Sequence, residues 1–504
     1  MSAVHRSRGL RAGVFSPGFW TGFERERSER EDPVEKSGVR KRFVSWGHSV
    51  TRMELFGSSG VRGVANREVT PAFCLRMGLT VGTVVDGRVA VGRDTRATGA
   101  MLADATASGL ASAGRDVDRL GVLPTPALQA YAEREGVPGV MITASHNPPQ
   151  YNGIKLVGSD GIEFSIERLE RVEGMFDGES FERARWDETG TSRRVTSARR
   201  EYIAEVVGAV DRERIGDAGL TVALDPGHGA GALTSPDLFR ELGCEVHTVN
   251  AQRDGTFPGR DPEPIPENLA ALGRLVRATD ADVGIAHDGD ADRAIFFDER
   301  GEYIEGDATL AALAAATLDA GDRTVSAVTV SQRLVDVAER AGAALELTPV
   351  GSTRIISRVR DLQNEDVSVP IAGEGNGGVL FPGYRLARDG AYTAARFLEL
   401  LTERPASDVI EDVGGYHNVR TTVGYEGDGE REALLAAAAA YADESDGELN
   451  DIDGFRLDVG DGWLLVRESG TEPLVRVYTE ARTEARAHEL ADGIRDRLDR
   501  ALDA

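Results

Sequence analysis

Short apolar runs alternate with amphipathic helical patterns along most of this chain of 504 residues. The apolar runs are typical of buried strands, and the segments between them place apolar residues at helical spacing. Strands are predicted at 88–92, 138–142, 220–224, 282–286, 324–330 and 367–372, and helices at 97–113, 266–278, 306–319 and 331–341. Repeated strand, loop and helix units of this kind predict layered α/β domains.

The alternation can be divided into three blocks of similar size, at residues 53–193, 194–300 and 301–405. After residue 405 the order of elements changes. A helix at 429–443 precedes three closely spaced strands at 454–459, 462–467 and 474–480, and a helix at 483–501 ends the chain. This order predicts a smaller α+β domain with an antiparallel sheet over residues 406–504. The predicted fold class is therefore α/β, with three similar mixed α/β sheet domains plus a C-terminal α+β domain.

Residues 1–52 differ in composition from the rest of the chain. They contain 11 basic and 6 acidic residues and no periodic apolar pattern, whereas the remaining residues have a net charge of −31. This change predicts that residues 1–52 are a basic, disordered extension and that the functional chain begins at Met53. A basic binding arm is the alternative interpretation.

Composition narrows the class of protein further. The sequence has no apolar window long enough to span a bilayer and no signal peptide, which predicts a cytoplasmic protein without a membrane partner. Cys74 and Cys244 lie far apart, so two buried thiols are expected. The net charge of −26 disfavours nucleic acid as a partner. Only three lysines occur beside many arginines, a balance typical of a halophilic cytoplasm, where salt screens an acidic surface.

Residues 143–156, TASHNPPQYNGIKL, form a predicted loop at the end of strand 138–142. Ser145 therefore stands at the carboxyl end of a strand, where α/β proteins bind their ligands. His146 and Lys155 flank this serine. A serine in an ordinary polar turn is the alternative, and the rest of the loop argues against it.

The sequence DGDADRA follows strand 282–286 directly. Its carboxylates at Asp288, Asp290 and Asp292 can converge on one Mg²⁺, which prefers oxygen ligands and can keep a position for a phosphate. Arg293 could contact the same phosphate. A calcium site, a solvated acidic turn and the nucleophile loop of a phosphatase are the alternatives for this motif alone.

Two further loops offer groups for a sugar phosphate. The loop GEGNGGVLFP at 373–382 presents Glu374 and Asn376, which suit paired sugar hydroxyls. The segment RESGTEPLVRVYTE at 467–480 forms a turn that suits a phosphate dianion. The groups expected to bind this phosphate are Arg467, Ser469, Gly470, Thr471 and, from the next strand, Arg476.

These four motifs, in this order, resemble those of the α-D-phosphohexomutases. The resemblance covers the chain from Met53 to its end. Shorter matches are FGSSGVRG at 56–63, which places Arg62 beside the serine loop, VGRDTR at 91–96, and TPVGSTR at 348–354, which brings Arg354 towards substrate. Asn376 and Gly378 replace a commoner serine and histidine. Glu468 replaces a proline of the phosphate loop and is expected to point to solvent.

The resemblance implies four domains around a central cleft and a mutase that interconverts hexose 1-phosphate and hexose 6-phosphate. It implies a phosphoserine at Ser145, one Mg²⁺ per active site held by Ser145 and the three aspartates, and a hexose 1,6-bisphosphate as intermediate and activator. Lys155 or His146 would transfer the proton. Glucose, mannose and glucosamine phosphates remain open as substrates, as do a monomer and a homodimer. The alternatives are a metal-dependent sugar phosphatase with Asp288 as nucleophile and an inactive sugar-phosphate-binding protein.

Overall fold

Four β-sheets follow one another along the chain in the computed structural model, which describes residues 55–57, 60–469 and 472–503. The predicted extension at residues 1–52 and the predicted start at Met53 lie outside the described residues. Gly470 and Thr471 of the predicted phosphate turn also lie outside them.

The first sheet is mixed and has the strand order β1-β5-β4-β2-β3-β6. Its strands are β1 (Val61–Val64), β2 (Val89–Arg93), β3 (Val117–Val122), β4 (Gly139–Ile142), β5 (Tyr151–Val157) and β6 (Ser192–Arg194). The helices of this part of the chain are α1 (Pro71–Val84), α2 (Gly99–Ser112), α3 (Thr125–Glu135), α4 (Ile166–Asp177) and α5 (Ala198–Gly208). Strand β2 lies parallel to β3 and β4, whereas β5 is antiparallel to both of its neighbours.

The second and third sheets are also mixed, with the orders β11-β10-β9-β7-β8 and β13-β12-β14-β15-β16. The second comprises β7 (Thr221–Asp225), β8 (Glu245–Thr248), β9 (Val283–Ala286), β10 (Ile295–Phe297) and β11 (Tyr303–Ile304), with helices α6 (Arg212–Ala218), α7 (Ser235–Glu241) and α8 (Ala270–Thr279). The third comprises β12 (Arg323–Ala327), β13 (Ala344–Thr348), β14 (Ile371–Glu374), β15 (Gly378–Phe381) and β16 (Arg385–Arg388). Its helices are α9 (Gly306–Ala315), α10 (Gln332–Ala341), α11 (Ser352–Asn364), α12 (Gly390–Leu400) and α13 (Ala406–Glu411).

The fourth sheet is entirely antiparallel, with the order β17-β21-β20-β19-β18. Its strands are β17 (His417–Gly424), β18 (Glu448–Asn450), β19 (Phe455–Asp458), β20 (Gly462–Glu468) and β21 (Leu474–Ala481), with helices α14 (Asp428–Glu444) and α15 (Glu484–Leu502). The predicted fold class, three mixed α/β sheets and a C-terminal α+β unit, is confirmed.

Local sequence signals explain where several helices begin and end. Thr70 caps α1 by accepting a hydrogen bond from the backbone N–H of Phe73, and Pro71 occupies the first helical position, where its missing N–H costs nothing. Gly136 ends α3 in the left-handed conformation that glycine adopts without steric cost.

Five predicted boundaries are wrong. The strand predicted at 367–372 covers Ile371–Glu374. The loop predicted at 143–156 ends at residue 150, because Tyr151–Val157 forms strand β5 between β1 and β4. The helix predicted at 266–278 begins with a 3₁₀ turn at Pro266–Asn268, and the α-helix starts only at Ala270. The helix predicted at 306–319 ends at Ala315, and the strand predicted at 324–330 covers Arg323–Ala327.

The buried apolar residues form one large hydrophobic cluster and several smaller ones. One hydrophobic cluster contains residues of the first three sheets, among them Met141, Val222 and Ile371. The fourth sheet has a separate core between its strands and helices α14 and α15. A small cluster of Val328, Trp463 and Leu465 joins it to the third sheet.

Within the described residues, no helix combines the length and the apolar character that crossing a membrane requires. Cys74 and Cys244 are buried and unpaired, as predicted.

Candidate active site

Ser145 lies in the turn between β4 and β5 and is fully buried. Its φ angle of 51° is left-handed, which is uncommon for a residue with a side chain and is found at functional turns. The hydroxyl of Thr143 accepts a 2.9 Å hydrogen bond from the Ser145 N–H and helps to hold this conformation.

A buried arginine, Arg96, holds the same turn through its backbone carbonyl groups. Arg96 donates hydrogen bonds to the carbonyl oxygens of Ser145 (2.8 Å), Asn147 (2.6 Å) and Pro148 (2.7 Å). Asp94 neutralises Arg96 at 3.0 Å and also accepts a hydrogen bond from Thr143. The sequence analysis matched VGRDTR to a family motif without assigning Arg96 this role.

The three aspartates lie in the loop between β9 and β10, which packs directly against the serine turn. A Cβ atom at Gly289 would lie 2.5 Å from the carbonyl oxygen of Ser145, so only glycine allows this close approach. Thr125, at the start of α3, donates from its N–H to the carbonyl of Asp290 at 2.9 Å and from its hydroxyl to the Asp290 carboxylate. The position of the loop is therefore fixed by the first sheet.

The carboxylates converge as a metal site requires. Asp288, Asp290 and Asp292 are buried and each offers an oxygen within 4.8 Å of the others. The Ser145 hydroxyl donates to Asp288 Oδ2 at 2.6 Å. Within the described part of the chain, the Oδ1 atoms of Asp290 and Asp292 are buried without a hydrogen-bond partner. Buried oxygens of this kind normally have partners, so this donor set fits a divalent cation such as Mg²⁺.

Two cations balance the aspartates. Lys155 Nζ lies 2.8 Å from Asp290 Oδ2 and 2.7 Å from Asp292 Oδ2, and Arg388 lies 2.7 Å from Asp292 Oδ2. Burial tends to lower the pKa of Lys155, but the carboxylates of Asp290 and Asp292 outweigh it and raise that pKa. Burial, Asp292 and Asp290 raise the pKa of Asp288 to about 7. A divalent cation would relieve this repulsion between carboxylates.

The sequence analysis did not identify Arg388. It lies at the end of β16, after the predicted sugar loop. A single arginine in LARDG carries no signal that separates it from the many other arginines of the chain. Burial opposes its charge, yet Asp292, Glu163 and Glu374 together raise its pKa. Arg388 thus connects the aspartate loop to the third sheet.

His146 and Arg62 both contact the serine turn. The Nδ1 atom of His146 lies 3.5 Å from the Ser145 hydroxyl, and burial, Arg293 and Arg62 lower the pKa of this imidazole, so that it is neutral at neutral pH. Arg62 donates to the side chain of Asn147 at 2.8 Å. Arg293 is 3.9 Å from Asp292 Oδ1, and its buried Nε has no hydrogen-bond partner among the described residues.

A second layer fixes the aspartate loop. Arg260 donates to the carbonyl of His287 at 2.6 Å and forms an ion pair with Asp225 at 3.1 Å. The Nδ1 atom of His287 donates to the carbonyl of Arg293 at 2.8 Å. Ala230, in the DPGHGAG segment, donates from its N–H to the carbonyl of Gly289 at 2.9 Å. This segment therefore acts as a structural turn that supports the aspartate loop.

The predicted sugar loop joins the same cluster through its backbone. The N–H of Ala294, just after the aspartates, donates to the carbonyl of Gly377 at 3.1 Å. Glu374 is buried and accepts a 3.3 Å hydrogen bond from the Asn376 amide. The Asn376 side chain in turn accepts from the N–H of Gly378 at 3.0 Å, so this side chain holds the loop.

The predicted phosphate loop lies on the fourth sheet. Arg467 and Arg476 face each other across β20 and β21. Arg476 donates weakly to the hydroxyl of Ser469 at 3.4 Å and pairs with Glu472 at 3.0 Å. Arg467 pairs with Asp453 at 3.2 Å. Each guanidinium has a buried Nε without a partner among the described residues.

Glu468 was expected to point to solvent, but its carboxylate has partners in the structure. It accepts a hydrogen bond from the Tyr425 hydroxyl at 3.1 Å and lies 3.5 Å from Arg431, which neutralises it. Successive strand residues point to opposite faces of a sheet, so Glu468 is directed away from the face of Arg467.

Arg354 is not brought into the aspartate cluster by any contact in the structure. It lies in the first turn of α11 and its side chain has no hydrogen bond or ion pair with a described residue. The adjacent loop is tied to the fourth sheet, because the N–H of Val350 donates to Asp453 at 2.9 Å. Arg354 therefore lies near the junction between the third sheet and the phosphate loop.

Sequence families match almost all of the chain after residue 52. They are described as phosphoglucomutase/phosphomannomutase α/β/α domain I at residues 53–183, domain II at 200–301, domain III at 305–416 and the C-terminal domain at 419–497.

Individual proteins agree with these matches. A phosphoglucomutase/phosphomannomutase of Thermococcus kodakarensis is 44% identical over 447 residues, which is 86% of this chain and 96% of the relative. A "probable phosphoglucosamine mutase" of Methanopyrus kandleri is 40% identical over 89% of this chain and 98% of the relative. The crystal structure of a phosphoglucomutase/phosphomannomutase family protein from Burkholderia thailandensis superposes with a TM-score of 0.78, at 28% identity, over 89% of this chain and 97% of that chain.

Proposed function

Because this chain belongs to the phosphoglucomutase/phosphomannomutase family, we propose that it is a phosphohexomutase that interconverts hexose 1-phosphate and hexose 6-phosphate. The observation that carries this proposal is the 2.6 Å hydrogen bond between the Ser145 hydroxyl and Asp288, beside two aspartates with unpartnered oxygens. A serine oxygen and three carboxylates at one point form the donor set that a phosphoserine and a bound Mg²⁺ would need.

Ser145 is the proposed carrier of the phosphoryl group. A phosphate monoester resists attack because its own charge repels nucleophiles, so the site must neutralise charge and align donor with acceptor. Mg²⁺ bound by Asp288, Asp290 and Asp292 would supply a positive charge to the phosphoryl group. Arg293 has an unpartnered buried Nε beside the same carboxylates and is proposed to bind the phosphoryl oxygens.

The sugar phosphate is proposed to lie between the two halves of the site. Arg467, Ser469 and Arg476 would hold its phosphate, together with Gly470 and Thr471. Glu374 and Asn376 would bind the sugar hydroxyls, and Arg354 would approach the substrate from the third sheet. The free hydroxyl of the sugar would then face Ser145, and the resulting hexose 1,6-bisphosphate would turn before Ser145 recovers the other phosphate.

Proton transfer has two candidate residues. Lys155 is anchored by two carboxylates, whereas the neutral imidazole of His146 lies 3.5 Å from the serine hydroxyl. The neutral imidazole of His146 could accept the hydroxyl proton of the sugar as the new P–O bond forms and return it in the reverse step, whereas Lys155, whose pKa the carboxylates raise, would first have to lose its own proton. Arg62, held near the turn by Asn147, would balance negative charge at this position.

A metal-dependent sugar phosphatase is the rival function. It would use Asp288 as nucleophile, but this carboxylate accepts the Ser145 hydrogen bond, and the phosphatase leaves Ser145 without a task. The two functions differ in product. We expect isomerised phosphate ester, with free phosphate only as a trace.

The decisive experiment follows glucose, mannose and glucosamine 1-phosphates in parallel by ³¹P NMR, with Mg²⁺ and a trace of the matching 1,6-bisphosphate. Ribose 1-phosphate serves as a pentose control. Conversion of at least one hexose 1-phosphate to its 6-phosphate supports the proposal. Accumulation of inorganic phosphate instead would establish the phosphatase, and binding without conversion would establish an inactive sugar-phosphate-binding protein.

Phosphorylation of Ser145 has its own test. Intact-mass measurement of the purified enzyme should reveal a species about 80 Da heavier than the unmodified chain, as one phosphoryl group adds. Peptide mapping should place it between Thr143 and Lys155, and the species should disappear in Ser145→Ala.

The cellular setting is also a proposal. The acidic composition and the scarcity of lysine support a halophilic, cytoplasmic enzyme, and neither a monomer nor a homodimer conflicts with the site, which one chain builds alone. Activity should rise with KCl towards the molar range, where the Debye length falls to about 3 Å. Light scattering at the same salt concentrations measures the oligomeric state.

A further inference from the structure

A cavity of about 390 Å³ opens beside the first sheet, and none of the candidate active-site residues lines it. Its walls come from the end of β2, the start of α2, strand β3 and the segment that leads into α5. Arg253, from the loop after β8, completes it. A cavity of this size can accept a small ligand.

The cavity is strongly basic in an otherwise acidic protein. Five arginines line it, at positions 93, 119, 194, 199 and 253, beside a single acid, Asp104, which pairs with Arg119. Arg194, Arg199 and Arg253 have no ion pair with any described residue. An anion bound between these guanidiniums would offset their mutual repulsion, in a chain whose net charge is otherwise −26.

Arg93 adds a partly buried guanidinium to the cluster. Among the described residues its side chain donates one hydrogen bond, a 3.3 Å contact with the carbonyl of Asp94. Burial lowers the pKa of Arg93 and Arg253 adds to this effect, while the carboxylates of Asp94 and Asp104 oppose it. A bound anion would favour the charged form further, because guanidinium groups bind phosphate oxygens in a bidentate manner.

Two helices contribute residues near their N-terminal ends to the wall, Ala100 and Ala103 of α2 and Ala198 and Arg199 of α5. Helix N-termini carry unsatisfied N–H groups and a partial positive charge, which favour anions. The arginine cluster and the helix ends therefore select the same ligand charge.

We propose that this cavity is a second anion site that binds the phosphoryl group of a small molecule, separately from the active site. Its walls are connected to the serine turn through the loops that contain Arg96 and Gly255. Arg93 lies three residues before Arg96, which holds the Ser145 carbonyl, and Arg253 lies two residues before Gly255. Gly255 forms a bridge with Arg96, and a Cβ atom there would lie 2.2 Å from the carbonyl of Thr95. A phosphoryl group bound by Arg93 and Arg253 would join the two loops that support Ser145.

The test compares the full-length wild type with Arg199→Gln/Arg253→Gln and with a control, Arg200→Gln/Arg274→Gln, which removes the same charge outside the cavity. Calorimetric titrations use inorganic phosphate, pyrophosphate and glucose 6-phosphate at fixed KCl. We expect two bound equivalents in the wild type and the control. The cavity variant should lose one equivalent, or bind it at least about 10-fold more weakly, with unchanged hexose phosphate turnover.

Comparing the three probes identifies the source of the phosphoryl group. Tighter binding of the sugar phosphate than of inorganic phosphate assigns a phosphate ester, and the reverse order assigns the free anion. A single equivalent in the wild type, or equal binding by the cavity variant, would overturn the proposal. Anomalous diffraction from wild-type crystals soaked in selenate gives a result that does not depend on a variant, and no peak in the cavity would also overturn it.

Discussion

The serine and aspartate half of the candidate site differs from the phosphate-loop half in how it is built. Ser145, the aspartate loop and Lys155 are buried and bonded to one another, and the three sheets around them share one hydrophobic cluster. Arg467 and Arg476 lie on a fourth sheet with its own core, and a small cluster around Trp463 joins that sheet to the third. The serine and aspartate half is therefore part of a continuous interior, whereas the phosphate-loop half belongs to a unit with its own core that packs, or docks, against the third sheet.

This difference suits the proposed reaction. Transfer of a phosphoryl group needs charges held at fixed positions, because a small displacement of the reacting groups costs much of the rate. Entry of substrate and turning of a bisphosphate need a site that can open, and docked units with small interfaces are the ones that move. Changes in the first half should therefore affect turnover, and changes in the second should affect substrate binding.

The largest effect is expected from Ser145→Ala. Removal of the only proposed covalent carrier should reduce turnover by about 10⁴-fold or more while the melting temperature changes little. Steady-state assay and calorimetry measure the two quantities. Ser108→Ala is the control, because that exposed hydroxyl only bonds to Asp104 of its own helix. Near-normal turnover in Ser145→Ala would refute the phosphoserine assignment.

Lys155 gives the second largest effect. Replacement by arginine should reduce kcat by about 100-fold, because a guanidinium needs more room than the buried site between Asp290 and Asp292 offers and does not release a proton. Lys155→Met should be equally impaired, with KM little changed. If arginine keeps kcat within a few-fold while methionine loses it, Lys155 is a fixed charge and His146 becomes the proton carrier.

Much of the first half could be predicted from sequence because its chemistry is local. Ser145 and the aspartates occupy loops that directly follow apolar strands, which is where α/β proteins place their ligands, although the two loops belong to different sheets. The role of Arg96 and the positions of Arg260 and Arg388 could not be predicted, because they depend on backbone carbonyls or carboxylates distant in sequence. In a chain so rich in arginine, residue type alone does not separate a buried anchor from a surface charge.

The extent of β5 shows another limit. Proline and glycine in NPPQYNGIKL indicate a turn, and the apolar residues of its second half are too few to predict a strand. Pairing with β1 and β4 on both sides stabilises the strand, and that is a property of the tertiary structure. Lys155 consequently projects from a central strand instead of a flexible loop, which explains its fixed position between two aspartates.

An intermediate effect is expected from Arg467→Gln in the docked half. Loss of one charged hydrogen bond to the substrate phosphate, about 1.5–3 kcal/mol, should raise KM by roughly 10- to 100-fold and change kcat much less. The control is Arg486→Gln, since the pair of Arg486 with Asp461 is exposed and contributes little. An equal loss of kcat in Arg467→Gln would contradict the division of tasks between the two halves.

The smallest effect on activity is expected from Glu480→Gln, which tests the docking itself. Glu480 is fully buried and accepts hydrogen bonds from Trp463 (3.0 Å) and from the N–H of Gln332 at the start of α10. It also faces Arg456, which stacks over Trp463 at 4.1 Å. Glutamine keeps an acceptor oxygen but loses the charge opposite Arg456, so docking should weaken by about 1 kcal/mol.

Amide exchange should then accelerate roughly 5-fold in β19 to β21 and remain unchanged in β4 and β5, with kcat/KM within about 3-fold. Glu489→Gln, at an exposed pair with Arg486, is the control. Equal acceleration in both regions would mean that the fourth sheet does not open on its own, and the proposed separation of a fixed and a docked half would fail.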